Sequence, residues 1–356
     1  MMLTEKQIIK IKEHLNNAQN PLFFFDNDPD GLCSFILLQK YIGRGKGFPV
    51  KSASLDKNYL RRINELNPDY LFILDVPTVS EEFFEEIRKI NLPVVWIDHH
   101  HTDKNKIPDF VNYYNPLLGK NFPSSTTYLC YEVTKKKEDL WITIVGSISD
   151  NFVPEIYGEF KKLYPDLSLD SSDAFEILYN SKIGVIAHLL NCGLKDKTTN
   201  VIKMIKFLMK VTTPYEILEK TPKNREMHEK FEIINKKLKK FLEKAQEEAN
   251  ASDKLVFFEY GGDTSMSAEI SNSLKYLFPG RIIFVAYVAE GFVNISGRGK
   301  NVKKFLEKTL EQGNFENARG GGHENAVGAR IMKKDLEGFR ELIKKVIGES
   351  ESKKQI

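Results

Sequence analysis

Aspartate side chains recur in this sequence directly after short apolar runs, where they could bind divalent metal ions. The segment FFFDNDPDG places Asp26, Asp28 and Asp30 at alternate positions. Alternate residues of an extended chain point to the same side, and hard divalent cations bind such clusters of carboxylate oxygens. An EF-hand calcium loop is excluded, because the twelfth position counted from Asp26 is Leu37 rather than glutamate. A polar turn with incidental acids is the alternative interpretation of this segment.

A second polar cluster follows the apolar run VVWI. Here Asp98 precedes three histidines, His99, His100 and His101. A neutral imidazole among carboxylates favours Mn²⁺ or another transition metal over Mg²⁺. A neighbouring carboxylate can also orient an imidazole by accepting a hydrogen bond from it. A lone histidine after a strand is more often structural, whereas three in succession after an aspartate favour a functional site.

Two further acids, Asp75 and Asp150, close the apolar runs YLFIL and WITIVGSIS, so each is expected at a strand end. Each alone would be typical of a cap or a loop, but four apolar segments that end in an acid are hard to explain by turn chemistry. Carboxylates gathered at one sheet edge repel one another and raise each other's pKa, so bound cations are needed to stabilise them. Two neighbouring metal ions are suited to activate a water and to stabilise the oxygens of an in-line phosphoryl displacement.

The segments that carry these acids predict a parallel sheet. PLFFF, DYLFIL and LPVVWI, at 21–25, 69–74 and 92–97, are short and apolar, as strands buried on both faces should be. Helical patterns alternate with them, including SEEFFEEIRKI, for which Ser80 is the predicted N-cap. Because ligands bind beyond the carboxyl ends of strands in open α/β sheets, we expect the acids at these strand ends to converge on one crevice.

The rest of the chain divides by pattern into two further regions. Residues from about 154 to 250 carry apolar residues at three- and four-residue spacing among many lysines and glutamates, which predicts helices ending in a long solvated connector. Strand patterns return at 254–260, 281–289 and 291–299 and predict a smaller α/β domain. The predicted domains are therefore 1–160, 161–250 and 251–350.

Two glycine-rich stretches of the C-terminal region could bind an anion. ISGRG contains Arg298, and ARGGGHENAVGAR contains Gly320, Gly321, Gly322 and His323. Backbone N–H groups and a guanidinium could form a nest there for phosphate or carboxylate oxygens. A glycine-rich turn between a strand and a helix is the alternative. The stretch lacks the Lys-Ser/Thr ending of a P-loop, so a nucleoside triphosphate cradle is not supported.

The composition of the 356 residues is that of a globular protein, 41% hydrophobic and 28% charged, which argues against disorder, collagen and coiled coil. A net charge of +3 neither requires nor forbids nucleic-acid binding, because a local basic groove can exist on a nearly neutral protein. Three cysteines without a CxxC pair indicate neither a disulfide framework nor a structural zinc site. We expect a cytoplasmic protein without a membrane span, since no apolar run reaches about 18 residues and the N-terminal residues predict an amphipathic helix rather than a signal peptide.

Taken together and in this order, DNDPDG, ILD, IDHHH, VGSISD and GGGH resemble the DHH phosphoesterase family with its DHH-associated C-terminal domain. The resemblance covers nearly the whole chain, and within the family it points to RecJ-like exonucleases of the compact archaeal type. It implies an α/β fold with a parallel-sheet N-terminal DHH domain, a helical connector region and a smaller α/β C-terminal domain.

The resemblance also implies roles for individual residues. The metal ligands would be Asp26, Asp28, Asp75, His99 and Asp150. Asp30 matches a family acid that is either a ligand or a residue behind the ligands. His100 would face the scissile phosphate, and Asp98 would hold the histidines from behind. Substrate would be held by Arg298 and by the loop of Gly320, Gly321, Gly322 and His323.

The function implied is that of an exonuclease with two divalent ions, Mn²⁺ or alternatively Mg²⁺, that releases nucleotides from single-stranded DNA or RNA. One alternative is a phosphatase for short oligonucleotides or cyclic dinucleotides. Another is a non-catalytic replication scaffold, against which the presence of every expected ligand argues. The resemblance also suggests a replication or repair protein as a partner. The direction of digestion and the oligomeric state are not predicted.

Overall fold

The computed structural model of the chain describes residues 2–52, 54–118, 123–249, 254–262 and 265–352. The chain divides into two compact units, residues 1–231 and 232–356. The three-domain division expected from the sequence pattern stays a prediction. Within the described residues, no helix combines the length and the apolar character that a membrane span requires.

The first unit alternates strands and helices and then becomes helical. Its described helices and strands are α1 (Glu5–Asn17), β1 (Pro21–Asp26), α2 (Pro29–Ile42), β2 (Lys46–Val50), α3 (Leu60–Leu66), β3 (Tyr70–Leu74), α4 (Glu81–Lys89), β4 (Val94–Ile97), β5 (Val111–Tyr114), α5 (Thr126–Thr134), α6 (Leu140–Ser149), α7 (Tyr157–Leu163), α8 (Ala174–Asn180), α9 (Lys182–Leu194), α10 (Thr198–Leu208) and α11 (Tyr215–Leu218). The connector predicted from the sequence is α12 (Arg225–Glu248), which begins in this unit and continues into the second.

A parallel sheet with strand order β2-β1-β3-β4-β5 is the centre of the first unit. Alternate residues of β1 face opposite layers: Phe23 and Phe25 pack in the core that includes α1, α2, α5 and α6, whereas Leu22 and Phe24 pack in the core that includes α3 and α4. Burial on both faces explains why the central strands are continuous apolar runs. The three strands predicted in this region are confirmed as β1, β3 and β4. The sequence pattern missed β2 and β5, which are the partly exposed edge strands.

Two local features of the first unit test the helix predictions. The N-cap of α4 is Ser80, whose hydroxyl accepts a hydrogen bond from the Phe83 N–H, as predicted. The expectation of a strand at 140–149 is wrong, because this apolar run forms α6, with every residue up to Ile148 buried. A helix enclosed by other helices is apolar on all sides, and its sequence then resembles that of a buried strand.

The second unit contains a mixed sheet. Its described elements are β6 (Leu255–Tyr260), α13 (Ser267–Leu277), β7 (Ile282–Val288), β8 (Phe292–Arg298), α14 (Val302–Gln312), β9 (Arg319–His323), β10 (Ala326–Met332) and α15 (Leu336–Ser352). The strand order is β6-β7-β8-β10-β9, with β6 and β7 parallel and the other neighbours antiparallel. The predicted smaller α/β domain is confirmed. Its glycine-rich stretch forms the antiparallel pair β9 and β10, rather than the nest or the strand-to-helix turn considered from the sequence.

Candidate metal centre

Acidic side chains meet beyond the carboxyl ends of β1 and β3. Asp26 is the last residue of β1, Asp28 is the N-cap of α2, and Asp75 follows β3 directly. One carboxylate oxygen from each of the three lies within 4.8 Å of the others. In the sheet, β2 lies on one side of β1 and β3 lies on the other, so the strand order reverses at this point. Open α/β sheets bind ligands where the strand order reverses. The backbone of Asp75 is left-handed, with φ 63°, a conformation that residues other than glycine adopt mainly at turns and functional sites.

The segment from Asp26 to Gly31 turns sharply from a strand into a helix. Asp28 has extended backbone, and its carboxylate accepts a hydrogen bond of 2.9 Å from the Gly31 N–H. A Cβ atom at position 31 would lie 2.5 Å from the carbonyl oxygen of Asp26, so glycine is required for this close approach. The predicted extended alternation therefore ends at Asp28. Its continuation to Asp30 is wrong, because Asp30 already lies in the first turn of α2.

The N-terminus of α5 holds Asp30, which is 1% exposed. The carboxylate of Asp30 accepts hydrogen bonds from the backbone N–H groups of Thr126 and Thr127, at 2.8 and 2.9 Å. The partial positive charge of a helix N-terminus stabilises a carboxylate in this position. The hydroxyl of Thr126 also donates to Asp75 Oδ1 at 2.8 Å, so α5 orients two acids of the cluster. Neither threonine is among the predicted site residues, although the SSTT run before an apolar segment is typical of a helix N-terminus.

His99 lies among three carboxylates. Its Nε2 atom is 3.3 Å from Asp75 Oδ1, 3.3 Å from Asp150 Oδ2 and 3.9 Å from Asp30 Oδ2. This atom is buried and has no hydrogen-bond partner among the residues that the structure describes. Ligand atoms at right angles around an ion with bonds of about 2.1 Å lie roughly 3 Å apart. The residues present therefore fit a divalent metal ion that would be shared by the imidazole and the neighbouring carboxylates.

Asp150 reaches this cluster from a helix. It is the C-cap of α6, and its backbone N–H donates to carbonyl groups of the last turn of that helix. The expectation that a strand delivers Asp150 is therefore wrong, although the residue does join the cluster. Oxygens of Asp30 and Asp150 and a ring nitrogen of His99 lie within 4.8 Å of one another.

Without a bound cation, the ionised form of the carboxylates in this cluster is unfavourable, and their pKa values are raised. Burial raises the pKa of Asp26 to about 6. Burial, together with the charges of Asp26 and Asp30, raises the pKa of Asp28 to about 7. Burial and neighbouring acids raise the pKa values of Asp75 and Asp150 well above their ordinary range. A bound divalent cation would reverse these effects, because it favours the ionised form of every ligand.

His100 is paired with Asp98 behind the cluster. Its Nδ1 lies 2.8 Å from Asp98 Oδ1, and Asp98 is fully buried. Burial alone would lower the pKa of His100, but the hydrogen bond and the charge of Asp98 raise it to about 9. The same hydrogen bond lowers the pKa of Asp98 in spite of its burial. Burial and the nearby His100 lower the pKa of His99, which favours the neutral imidazole that a metal ion requires.

The second oxygen of Asp98 is also held. Asp98 Oδ2 accepts hydrogen bonds from the Tyr113 hydroxyl at 3.0 Å and from the Thr102 hydroxyl at 3.4 Å. The side-chain amide of Asn115 donates to the carbonyl oxygen of His100 at 2.8 Å. Burial and the charge of Asp98 raise the pKa of Tyr113, so this side chain stays a hydroxyl donor. Tyr113, Thr102 and Asn115 are not among the predicted site residues.

The predicted substrate-holding residues lie together on the sheet of the second unit. Ala326 of β10 pairs with Arg298 of β8 on one side and with His323 of β9 on the other. Arg298 Nε donates to the side-chain oxygen of Asn272 at 2.5 Å. The three glycines of the motif, Gly320, Gly321 and Gly322, are residues of β9. The side chain of His323 lies outside the part of the chain that the structure describes, and the roles of these residues stay predictions.

Family models match two parts of the chain. The model of the DHH family, N-terminal domain, matches residues 22–149, and the model of the DHHA1 domain matches residues 252–349. No curated protein matches the sequence.

Solved structures match nearly the whole chain at low identity. RecJ from Thermus thermophilus in complex with Mn²⁺ has 15% identity and a TM-score of 0.68, with 95% of this chain and 53% of that chain covered. This chain thus spans about half the length of that RecJ. A structure described as the DHH domain of a member of a family of ribosomal proteins has 14% identity and a TM-score of 0.71, covering 96% of this chain and 89% of that chain.

A third solved structure is that of a phosphodiesterase. This pGpG-specific phosphodiesterase from Vibrio cholerae has 15% identity and a TM-score of 0.52, and 93% of this chain and 99% of that chain are covered. At these identities each match shows a shared fold. Together with the two family models, the matches show that the chain belongs to the DHH family of phosphoesterases and carries a DHHA1 domain in its C-terminal region.

Proposed function

We propose that this protein is a metal-dependent exonuclease that hydrolyses phosphodiester bonds of single-stranded DNA or RNA and releases nucleotides. The observation that carries the proposal is the buried His99 Nε2 atom, which lies among carboxylate oxygens and has no hydrogen-bond partner within the described residues. The match to the Mn²⁺ complex of RecJ over 95% of this chain supports the exonuclease assignment.

In the proposal the metal-binding set comprises Asp26, Asp28, Asp75, His99 and Asp150. Two divalent ions would be held, with Mn²⁺ preferred to Mg²⁺ because an imidazole is among the ligands. Bound there, the ions would supply a lowered pKa for water and positive charge for the oxygens of the phosphoryl group. Asp30 acts mainly by holding the N-terminus of α5 in place, because its carboxylate already accepts hydrogen bonds from the backbone there.

The Asp98–His100 pair supplies a positive charge from the chain itself. Asp98 stabilises the protonated imidazole, and its hydrogen bond to Nδ1 fixes the ring orientation. His100 Nδ1 is also 4.0 Å from Asp75 Oδ1, so the imidazolium borders the metal-binding set. We assign His100 to the scissile phosphate, where a fixed cationic donor stabilises the negative charge that develops on the phosphoryl oxygens.

The nucleotide end of the substrate is assigned to the second unit. Arg298 offers a guanidinium, which binds phosphate with directional hydrogen bonds. A Cβ at Gly321 would meet no atom within 4 Å, so this residue leaves room for a substrate to approach the backbone of β9, whereas a Cβ at Gly320 or Gly322 would meet protein atoms. His323 ends that strand. Substrate binding by these residues and metal binding by the first unit are therefore separate parts of the proposal.

Release of nucleotides from end-labelled single strands in Mn²⁺ tests the proposal. We expect wild-type protein to degrade them and His99→Ala to lose activity, because the variant lacks the central nitrogen ligand. His101→Ala is the matched control, since His101 is an exposed neighbour outside the cluster. Full activity of His99→Ala would contradict the assignment. Matched 5′- and 3′-labelled DNA and RNA strands give the direction and the preferred sugar.

A phosphodiesterase for short substrates is the second candidate. It is favoured by the match to the pGpG-specific phosphodiesterase, 99% of which is covered by this chain. A length series from a dinucleotide to a long strand separates the two candidates. A rate that collapses beyond a few nucleotides would support the short-substrate enzyme, whereas a sustained rate supports the exonuclease.

A non-catalytic scaffold is the remaining interpretation, and the retention of every predicted ligand argues against it. Failure to bind Mn²⁺ in a calorimetric titration would support it. A replication or repair protein as partner and a location in the cytoplasm complete the proposal.

A further inference from the structure

Tyr113 links the Asp98–His100 pair to the edge strand β5. Its hydroxyl donates to Asp98 Oδ2 at 3.0 Å and accepts a hydrogen bond from the Asn115 side-chain amide at 2.7 Å. The same Asn115 nitrogen donates to the carbonyl oxygen of His100 at 2.8 Å. Since Asp98 Oδ1 bonds to His100 Nδ1, the four residues form a closed ring of hydrogen bonds.

We propose that Tyr113 is a positioning residue for phosphodiester hydrolysis, acting through Asp98 to set the orientation of the His100 imidazole. The inference rests on the proposed function, in which His100 contacts the scissile phosphate. Asp98 is fully buried, so its carboxylate is oriented by protein donors and not by bulk water. Within the described residues, loss of the Tyr113 hydroxyl would leave Asp98 Oδ2 with one side-chain hydrogen bond. That bond comes from the Thr102 hydroxyl and is longer, at 3.4 Å. The carboxylate could then rotate and carry His100 with it.

The hydroxyl of Tyr113 is separable from the packing of its ring. The ring packs against Trp96 of the neighbouring strand, with centroids 4.6 Å apart, and this contact does not involve the oxygen. Asn115 is additionally fixed by a hydrogen bond from the Leu117 N–H to its side-chain oxygen, at 2.9 Å. Tyr113→Phe therefore removes the oxygen and keeps the ring contact. Its effect on the fold should be small compared with its effect on Asp98.

Steady-state kinetics on an end-labelled single strand in saturating Mn²⁺ provide the first test. For Tyr113→Phe we expect kcat to fall about tenfold, the usual cost of removing a group that orients another, with KM and the Mn²⁺ dissociation constant unchanged. Tyr114→Phe is the matched control: it makes the same change on the next residue of β5, whose ring is buried in the opposite core. A wild-type kcat for Tyr113→Phe, or an equal loss for Tyr114→Phe, would overturn the inference.

A double-mutant cycle with Asp98→Asn separates positioning from a general structural effect. If Tyr113 acts through Asp98, then Tyr113→Phe should cause little further loss in the Asp98→Asn background. Losses that multiply fully in the double variant would show that Tyr113 acts independently of Asp98, and would overturn the inference.

Proton NMR of the metal-free protein tests the hydrogen-bond ring without any substrate. The His100 Nδ1–H proton, bonded to a buried carboxylate, should give a downfield signal that disappears in His100→Gln. We expect Tyr113→Phe to shift or broaden this signal and Tyr114→Phe to leave it unchanged. An unchanged signal in Tyr113→Phe would overturn the inference even if strand hydrolysis is confirmed. Absence of hydrolysis by wild-type protein would instead refute the proposed function, and a shifted signal would then still establish the link between Tyr113 and the pair.

Discussion

The metal-binding cluster should destabilise the fold when no metal is bound, and Asp28→Asn measures this cost. Asp28 is the N-cap of α2 and accepts a hydrogen bond from the Gly31 N–H at 2.9 Å. Asparagine is as good an N-cap as aspartate and can accept the same bond. The substitution therefore removes the negative charge while it keeps the helix start.

The magnitude follows from the raised pKa of Asp28. Burial, with the charges of Asp26 and Asp30, raises this pKa to about 7 from the ordinary 3.8. The folded protein binds the Asp28 proton more tightly than the unfolded chain does. Protonation of Asp28 therefore stabilises the fold fully below pH 3.8, and this stabilisation is lost as the pH rises toward 7. At about 1.4 kcal/mol per pH unit, the ionised carboxylate costs up to about 4 kcal/mol of unfolding free energy at pH 8. Metal-free Asp28→Asn should therefore be the more stable protein at pH 8, and the difference should vanish below pH 4.

Bound metal should narrow the difference in unfolding free energy between the two proteins. At a hundredfold excess over its dissociation constant, an ion that binds only the folded state adds about 2.7 kcal/mol per site. Wild-type protein should gain this stabilisation from Mn²⁺, and Asp28→Asn should gain less because a ligand is missing. Urea unfolding in EDTA and in Mn²⁺ measures both effects. Fluorescence is a suitable probe, because the two tryptophans, Trp96 and Trp141, lie in the first unit.

The matched control is Asp173→Asn. Asp173 is the exposed N-cap of α8 and accepts a hydrogen bond from the Phe175 N–H at 2.8 Å. The substitution there should change stability little, with or without Mn²⁺. The reasoning is refuted if metal-free Asp28→Asn is less stable than wild type at pH 8, or if Mn²⁺ stabilises the two proteins equally.

Three further predictions concern the stability of the first unit and its response to metal. Lys40→Met should lower the unfolding free energy by about 3–5 kcal/mol in urea, because it leaves the buried carboxylate of Asp139, now 2.7 Å from Lys40 Nζ, without its cation. Gly31→Ala should abolish the rise in melting temperature caused by Mn²⁺, since its Cβ would displace the end of β1 that carries Asp26. Burial lowers the pKa of His188 to about 4 from 6.5, so stability should fall by about 3 kcal/mol as the pH drops from 6.5 to 4, and His188→Leu should remove that part of the pH dependence.

Matched control substitutions test the first two of these predictions. Lys89→Met breaks an exposed ion pair with Glu86 and should change the unfolding free energy little, because solvent screens this pair. Equal losses for Lys40→Met and Lys89→Met would contradict the role given to burial. A Cβ at Gly158 meets no atom within 4 Å, so Gly158→Ala should leave the effect of Mn²⁺ intact. A normal response to Mn²⁺ in Gly31→Ala would show that the turn tolerates a side chain.

The central strands and the acids that follow them could be predicted because burial on both faces leaves a simple pattern. β1 and β3 are unbroken apolar runs, and Asp26 and Asp75 come next in the sequence. Edge strands carry a weaker signal, and β2 even contains Pro49. The run that forms α6 resembles a strand in sequence, because a fully enclosed helix and a buried strand share the same composition.

The supporting side chains of the candidate centre could not be predicted from local pattern. Thr126 contacts Asp30 and Asp75, which are 96 and 51 residues away in the sequence. Tyr113 is 15 residues from Asp98 but reaches it across neighbouring strands. Contacts of this kind depend on strand order and register, and a single sequence states neither.

The division of the chain into two compact units has a consequence for how this protein could diverge. Every residue of the carboxylate–imidazole cluster precedes position 232, whereas the arginine and glycines assigned to substrate follow it. On the proposed assignments, strands β8 to β10 could change to suit a new polymer length or sugar without altering any of the proposed metal ligands. The hydrolytic site of the first unit would then stay the same among related proteins, while the substrate preference set by the second unit would vary.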